Sequence, residues 1–170
     1  VYAVAAACRQ HAMSTSEIYN SVRINERLTI AGQPTEAQLR AAAAEGFTAV
    51  INLVPPGSVN ELPDEAGLVQ ELGLAYIHIP VDWNRPTDAD FAAFVAALDR
   101  LAGGKLLIHC AANYRVTAFY GLYAQKRLGW TEAEAEELRA RVWEGDYPVW
   151  EAFIRRVRAD LADGESVARR

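Results

Sequence analysis

The segment His109-Cys110-Ala111-Ala112-Asn113-Tyr114-Arg115-Val116-Thr117 carries the residue types that can hold and attack an anion. It reads as a strand end, a cysteine, a short turn and an arginine at a helix start. A helix N-terminus leaves backbone N–H groups without partners and carries about half a positive charge. That end binds anions and favours the thiolate form of a cysteine placed there. A thiolate is a strong nucleophile and can form a covalent intermediate. The planar guanidinium of Arg115 suits two oxygens of a phosphate or a similar oxyanion. A cation at a helix start is otherwise unfavourable by about 0.3–1 kcal/mol, which argues that Arg115 is there for a ligand. Cys110 and Arg115 are therefore the candidate reactive and anion-clamping residues. Ala111, Ala112, Asn113, Tyr114 and Val116 are the candidate binding positions, chiefly through their amides.

These residues need a scaffold that ends a strand beside a helix start, and the rest of the chain supplies one. Residues 22–30 have extended character and lead into Ala31-Gly32-Gln33-Pro34. Thr35 with Gln38 forms a capping-box signal for an Ala-rich helix that Gly46 ends. The β-branched apolar run 47–54 predicts a buried strand. A loop over 55–63, a helix over 64–72 and a second strand over 74–81 follow. Asp82 then begins a loop that ends at Pro86. Thr87 with Asp90 caps a helix whose apolar face is Phe91, Phe94, Val95, Leu98 and Leu101. Gly103-Gly104 stops it, and the strand 105–108 runs straight into His109-Cys110. Helices are expected over 116–128, from Thr131 with Glu134, and over 148–161. Strands alternating with helices predict an α/β domain, with a central, mainly parallel sheet of about four to five strands flanked by helices. The working crevice of such a sheet lies beyond the carboxyl ends of its strands, where the Asp82 and Cys110 loops fall.

The 170 residues suit one domain, expected over 13–165. Met13 is the single methionine and MSTSEIYN reads as a natural start, so residues 1–12 are expected to be an added or frayed extension, with 166–170 a frayed tail. The chain is 51% hydrophobic and 23% charged, enough to bury a core. A net charge of −5 argues against general binding to nucleic acid or anionic membranes. No apolar run approaches the roughly 20 residues of a membrane span. Two cysteines, Cys8 and Cys110, make no disulfide framework and fit a cytoplasmic protein. The three histidines and two cysteines lack metal-ligand spacing, so neither metal nor cofactor is expected. His78 and the aromatic residues from Phe119 to Trp150 are read as structural.

The His109-to-Thr117 segment resembles the signature of the cysteine-dependent protein tyrosine and dual-specificity phosphatases: His-Cys, five residues, Arg, then Ser or Thr. The stretch GQPTEAQLRAAAAEGFTAVINLV is similar to the opening of the bacterial dual-specificity-like members. The resemblance covers about residues 22–160 and implies a phosphatase acting on a phosphorylated protein or small molecule. It makes Cys110 the nucleophile that forms a phosphocysteine and Arg115 the phosphate clamp. It makes His109 the residue that orients the loop and favours the thiolate, and Thr117 an aid to the departing thiolate. Asp82 becomes the general acid for the leaving oxygen.

Three departures from that pattern stand in this chain. Four residues separate Cys110 from Arg115 rather than five. Counted from Cys110, Thr117 occupies the hydroxyl position and the arginine has moved; counted from Arg115, one loop residue is deleted. Asn113 sits near the place of the usual loop glycine, and Asn tolerates positive φ better than most residues. Trp83 stands where many family members have their acid, one residue after Asp82. A four-residue gap is also similar to that of rhodanese-like sulfurtransferases, which place a strand-end cysteine and an arginine at this spacing. A phosphate-binding module without turnover is the third reading.

Overall fold

The computed structural model describes residues 13–168, with side chains through 165. Residues 1–12, expected to be an extension, and the last two residues of the expected tail lie outside the described part. The first departure from expectation is at 22–30, which is not one extended run but a hairpin. Asn25 Oδ1 accepts from Arg27 N at 2.8 Å and bends the chain between β1 (Val22–Asn25) and β2 (Leu28–Ala31), which pair antiparallel. From there strands and helices alternate: α1 (Glu36–Ala44), β3 (Ala49–Asn52), α2 (Glu65–Glu71), β4 (Ala75–His78), α3 (Asp88–Arg100) and β5 (Leu106–His109). Then come α4 (Tyr114–Arg127), α5 (Glu132–Ala140) and α6 (Pro148–Ala168).

Local chemistry sets these boundaries. Thr35, Thr87 and Thr131 each accept from the backbone N–H three residues on, and the side chain of that residue, Gln38, Asp90 or Glu134, returns the bond. Gly46 takes φ of 86° just past α1, a conformation that costs glycine little. Two helices differ from expectation. The sixth continues past Leu161 to Ala168, and α4 begins two residues early, at Tyr114 rather than Val116. The early start puts Arg115 inside the first turn of the helix.

The sheet order is β1-β2-β5-β3-β4, with β2, β5, β3 and β4 parallel. β5 is central: Ile30, Ile108 and Ile51 share one row, and Ala31, His109 and Asn52 share the next. Side chains alternate across the pleat, so Ile108 and Leu107 enter different cores. Ile30, Ile51 and Ile108 pack with Phe94, Phe119, Trp150 and Phe153 under α3, α4 and α6. Ala31, Val50 and Leu107 pack with Leu39, Ala42 and Val69 under α1 and α2. Each fully buried large side chain contributes about 1.5–3 kcal/mol, which fixes the sheet between its helix layers. Among the described residues, no helix is long and apolar enough to cross a membrane.

Candidate active site

Cys110 continues the central strand by one residue, its N–H donating to Ala31 O at 3.2 Å. The next residues are tied down one by one. Gln33 N donates to Ala111 O at 3.0 Å, and Gly32 bridges Ala112. Gly32 has no room for a side chain, because a Cβ there would lie 2.8 Å from Ala111 O and 2.9 Å from Tyr19 O. The Gly-Gln-Pro lead-in therefore braces the cysteine loop from the neighbouring strand end. On the other side, Asn20 Nδ2 donates to Ala112 O at 3.1 Å, and Asn113 Nδ2 donates back to Asn20 O at 2.8 Å. Asn113 is left-handed, φ 67°, and turns the chain directly into α4. This is a conformation that glycine adopts most easily. Thr117 N makes a helical bond back to Asn113 O at 3.1 Å, and the N–H groups at the start of the helix have no carbonyl within the helix to reach.

Arg115 has a charge without a counter-charge. Its guanidinium lies 5.5 Å from the centre of the Trp83 ring, its Nε is buried with no acceptor, and no carboxylate among the described residues pairs with it. A recess of about 190 Å³ is lined by Trp83, Cys110, Ala111, Ala112, Tyr114 and Arg115. Sequence and structure thus agree in bringing Cys110, Arg115 and the loop together. Val116 is fully buried in the core below and can offer the recess only its backbone.

The wall of the recess is aromatic. Trp83 stacks on Trp150 at 5.2 Å, and Trp150 Nε1 donates to Trp83 O at 2.8 Å. Tyr114 stacks on Trp143 at 5.2 Å and 14°. Trp143 and Tyr147, read from the sequence as core, are only partly buried, and both contact Trp83 and Tyr114. Trp143 Nε1 lies 2.9 Å from Thr117 Oγ1 and 3.1 Å from Tyr114 O. The Thr117 hydroxyl is itself turned back on the chain, 2.9 Å from Asn113 O and 3.0 Å from Tyr114 O. Asp82 is exposed, its Oδ1 accepting from Asn84 N at 2.8 Å, and it is not among the residues lining the recess.

His109 is fully buried behind the loop, on the face of the sheet covered by α1 and α2. Its Nε2 lies 2.8 Å from Glu65 Oε2 and its Nδ1 3.2 Å from Cys110 O. Glu65 is also buried, and its other oxygen accepts from Gln33 Nε2 at 2.9 Å. Burial works to raise the Glu65 carboxyl, but His109, Gln33 and Tyr76 outweigh it and hold it below the usual carboxylate range. Tyr76, which accepts from Asn52 Nδ2 at 3.0 Å, is pushed up to about 12, first by its own burial. Sequence reasoning missed Glu65, Asn20 and Trp143. An acidic residue at a helix start is ordinary; the available signal was that Asp64 already caps α2, leaving Glu65 free for another partner.

The family model for the phosphatase-like domain of beta-lactamase hydrolase-like proteins matches residues 21–126. The chain is 40% identical over 108 residues to the beta-lactamase hydrolase-like protein of Agrobacterium fabrum, covering 60% of this chain and 24% of that protein. It is 36% identical over 104 residues to the protein of the same name from Xylella fastidiosa, covering 59% of this chain and 24% of that one. The chain thus spans about a quarter of the length of these curated relatives. Among solved structures, a DUF442 protein of Shewanella putrefaciens CN-32 superposes with a TM-score of 0.79 at 35% identity, covering 86% of this chain and 95% of that one. P. aeruginosa TpbA has the same fold, with a TM-score of 0.67 at 18% identity over 85% of this chain and 91% of its own. By the extent of the family match, the chain belongs to the phosphatase-like domains of beta-lactamase hydrolase-like proteins, on the α/β fold of the cysteine-dependent tyrosine and dual-specificity phosphatases.

Proposed function

We propose that the protein hydrolyses phosphate monoesters through a phosphocysteine on Cys110. The observation that carries this reading is the Arg115 guanidinium, which lines the recess with Cys110 and has no protein anion to pair with. An unpaired charge beside a helix start is costly unless an anionic ligand completes it. In the first step Cys110 Sγ attacks phosphorus, a P–S bond forms and the bond to the leaving oxygen breaks. Asp82 gives that oxygen a proton. In the second step water attacks phosphorus, Asp82 takes its proton, and inorganic phosphate and the Cys110 thiolate are released. Arg115 and the amides from 111 to 116 hold the phosphoryl oxygens through both steps. His109 fixes the base of the loop. Thr117, with its hydroxyl on Asn113 O and Tyr114 O rather than on the sulfur, holds the first helical turn in register.

A phosphorylated substrate is supported by the fold neighbour TpbA, a variant of which was solved in complex with pTyr. The test is aryl phosphate hydrolysis by wild type and Cys110→Ser, with acid quenching to trap phosphate on the protein. Turnover with a trapped phosphocysteine is expected, and Cys110→Ser should lose roughly 10³-fold or more. Equal rates would overturn the reading. A persulfide mass on Cys110 after incubation with thiosulfate, with no phosphatase turnover, would replace it with sulfur transfer; bound phosphate with neither reaction would leave a binding module.

A further inference from the structure

Glu65 does not line the recess, stands 44 residues before His109 in the chain, and yet spends a carboxylate in a buried site. Burying an ionised carboxylate is expensive unless its oxygens are all engaged. Here both are, and both partners lead to the same loop. Oε2 meets the His109 ring, whose Nδ1 faces Cys110 O. Oε1 accepts from Gln33 Nε2, and the backbone N–H of the same residue donates to Ala111 O. We propose that Glu65 is a positioning residue of the Cys110 loop, acting through His109 by keeping hydrogens on both nitrogens of that ring. The proposal rests on the reading of Cys110 as a nucleophilic thiolate.

Donors and acceptors decide the state of the ring. The two ring nitrogens face two oxygens, a carboxylate and a backbone carbonyl, and neither oxygen can donate. A neutral imidazole has one N–H and would leave the other nitrogen's lone pair against an oxygen. The doubly protonated ring satisfies both contacts, and an adjacent carboxylate is the partner that stabilises it. Of the pair, the positive ring then lies toward Cys110 and the Glu65 carboxylate toward α2. The downward displacement of Glu65, against its burial, keeps that side chain a carboxylate and so an acceptor only. The other groups that face the pair do not supply this charge. Tyr76 on β4, at about 12, stays a neutral phenol. Glu61 acts on Tyr76, and His78 on β4 is turned to Val54 O at 2.6 Å. Arg115 lies on the recess side, against Trp83.

The experiment uses the full chain as wild type, Glu65→Gln and Glu65→Asp, each also with His109→Gln. Thiolate formation is followed by ultraviolet absorbance against the matching Cys110→Ser protein, and the His109 ring by nitrogen-correlated NMR. Wild type should show hydrogens on both ring nitrogens. Glu65→Gln should move the midpoint of thiolate formation upward by about one pH unit, with the acidic limb of kcat/KM following it. Glu65→Asp should restore part of the shift, and Glu65→Gln should add nothing once His109 is gone. An unchanged midpoint, an equal shift with and without His109, or a single ring hydrogen in wild type would overturn the proposal. If Glu65→Gln fails to fold, the wild-type ring measurement decides alone. Thiolate titration needs no turnover, so a shifted midpoint in a protein without phosphatase activity would retain Glu65's role and sink the phosphatase reading instead.

Discussion

Residues 110–113 leave the central strand with every step tied down, whereas residues 82–86 leave the sheet with one aromatic ring anchored and their carboxylate in water. The cysteine loop is gripped by Ala31, Gln33, Asn20 and the Thr117 turn, four separate places in the chain. The other loop is held by Trp150 Nε1 on Trp83 O and by the Trp83 ring among its aromatic neighbours, while Asp82 bonds only within its own turn. The difference matches two different demands. Donors that stabilise developing charge work because they are fixed before the reaction begins. A proton donor must reach an oxygen whose position depends on the substrate, and a loop that adjusts serves it. On the proposed mechanism, the anion-binding half of the site is built in, and the acid half is left to a carboxylate that the rest of the fold does not hold.

The sharpest way to break this contrast is at the fixed end. Arg115→Lys keeps the charge but replaces a planar fork with a point charge that cannot span two oxygens. Hydrolysis of an aryl phosphate should fall by roughly 10²–10³-fold in kcat/KM, as for loss of an oxyanion donor. The loss should be the same for every leaving group, and inhibition by inorganic phosphate should weaken in parallel. Retention of activity within a few-fold would mean that the rigid loop does not do its work through Arg115.

The same contrast explains what could be read from the sequence. Elements with local chemistry were legible: the capping boxes at Thr35, Thr87 and Thr131, and the parallel strands that deliver His109-Cys110 to the crevice. Cys110 and Arg115 were legible because five consecutive steps of one loop carry their relation. One miss was local: the 22–30 hairpin hung on a single bond, Arg27 N–H to Asn25 Oδ1, which the apolar pattern does not announce. The other misses were non-local. Glu65 meets His109 only because β5 passes between β2 and β3, bringing α2 under it. Asn20 reaches Asn113 across 93 residues, and no periodicity encodes such a pairing. Trp143 looked like core because its helical-interval aromatics do pack, but its Nε1 belongs to the site.

At the adjustable end, Asp82→Asn should cost less, and unevenly. Asn cannot give up a proton, so an alkyl phosphate, with a basic leaving oxygen, should lose roughly 10²-fold in kcat. An aryl phosphate with a stable phenolate should lose far less. The basic limb of the wild-type pH profile should vanish in the variant. A loss that is uniform across leaving groups would show that Asp82 shapes the loop rather than protonating the product, and the two loops would then differ in stiffness without differing in chemistry.

The smallest expected effect separates bracing from chemistry. Trp143→Phe keeps a flat ring stacked on Tyr114, and so keeps the wall of the recess, but removes the Nε1 hydrogen that faces Thr117 Oγ1 and Tyr114 O. Thr117 Oγ1 is inaccessible to water in a fully buried residue, so an acceptor is left short, at a cost of about 1–3 kcal/mol. Thermal unfolding should move down by about 2–4 °C per kcal/mol in a domain of this size. Activity should fall less than tenfold and equally for aryl and alkyl phosphates, because Trp143 touches the first turn of α4 and not the Asp82 carboxylate. A leaving-group-dependent loss would instead show that the aromatic wall transmits strain from the fixed loop to the adjustable one, through Trp83, which contacts both Trp143 and the Arg115 guanidinium.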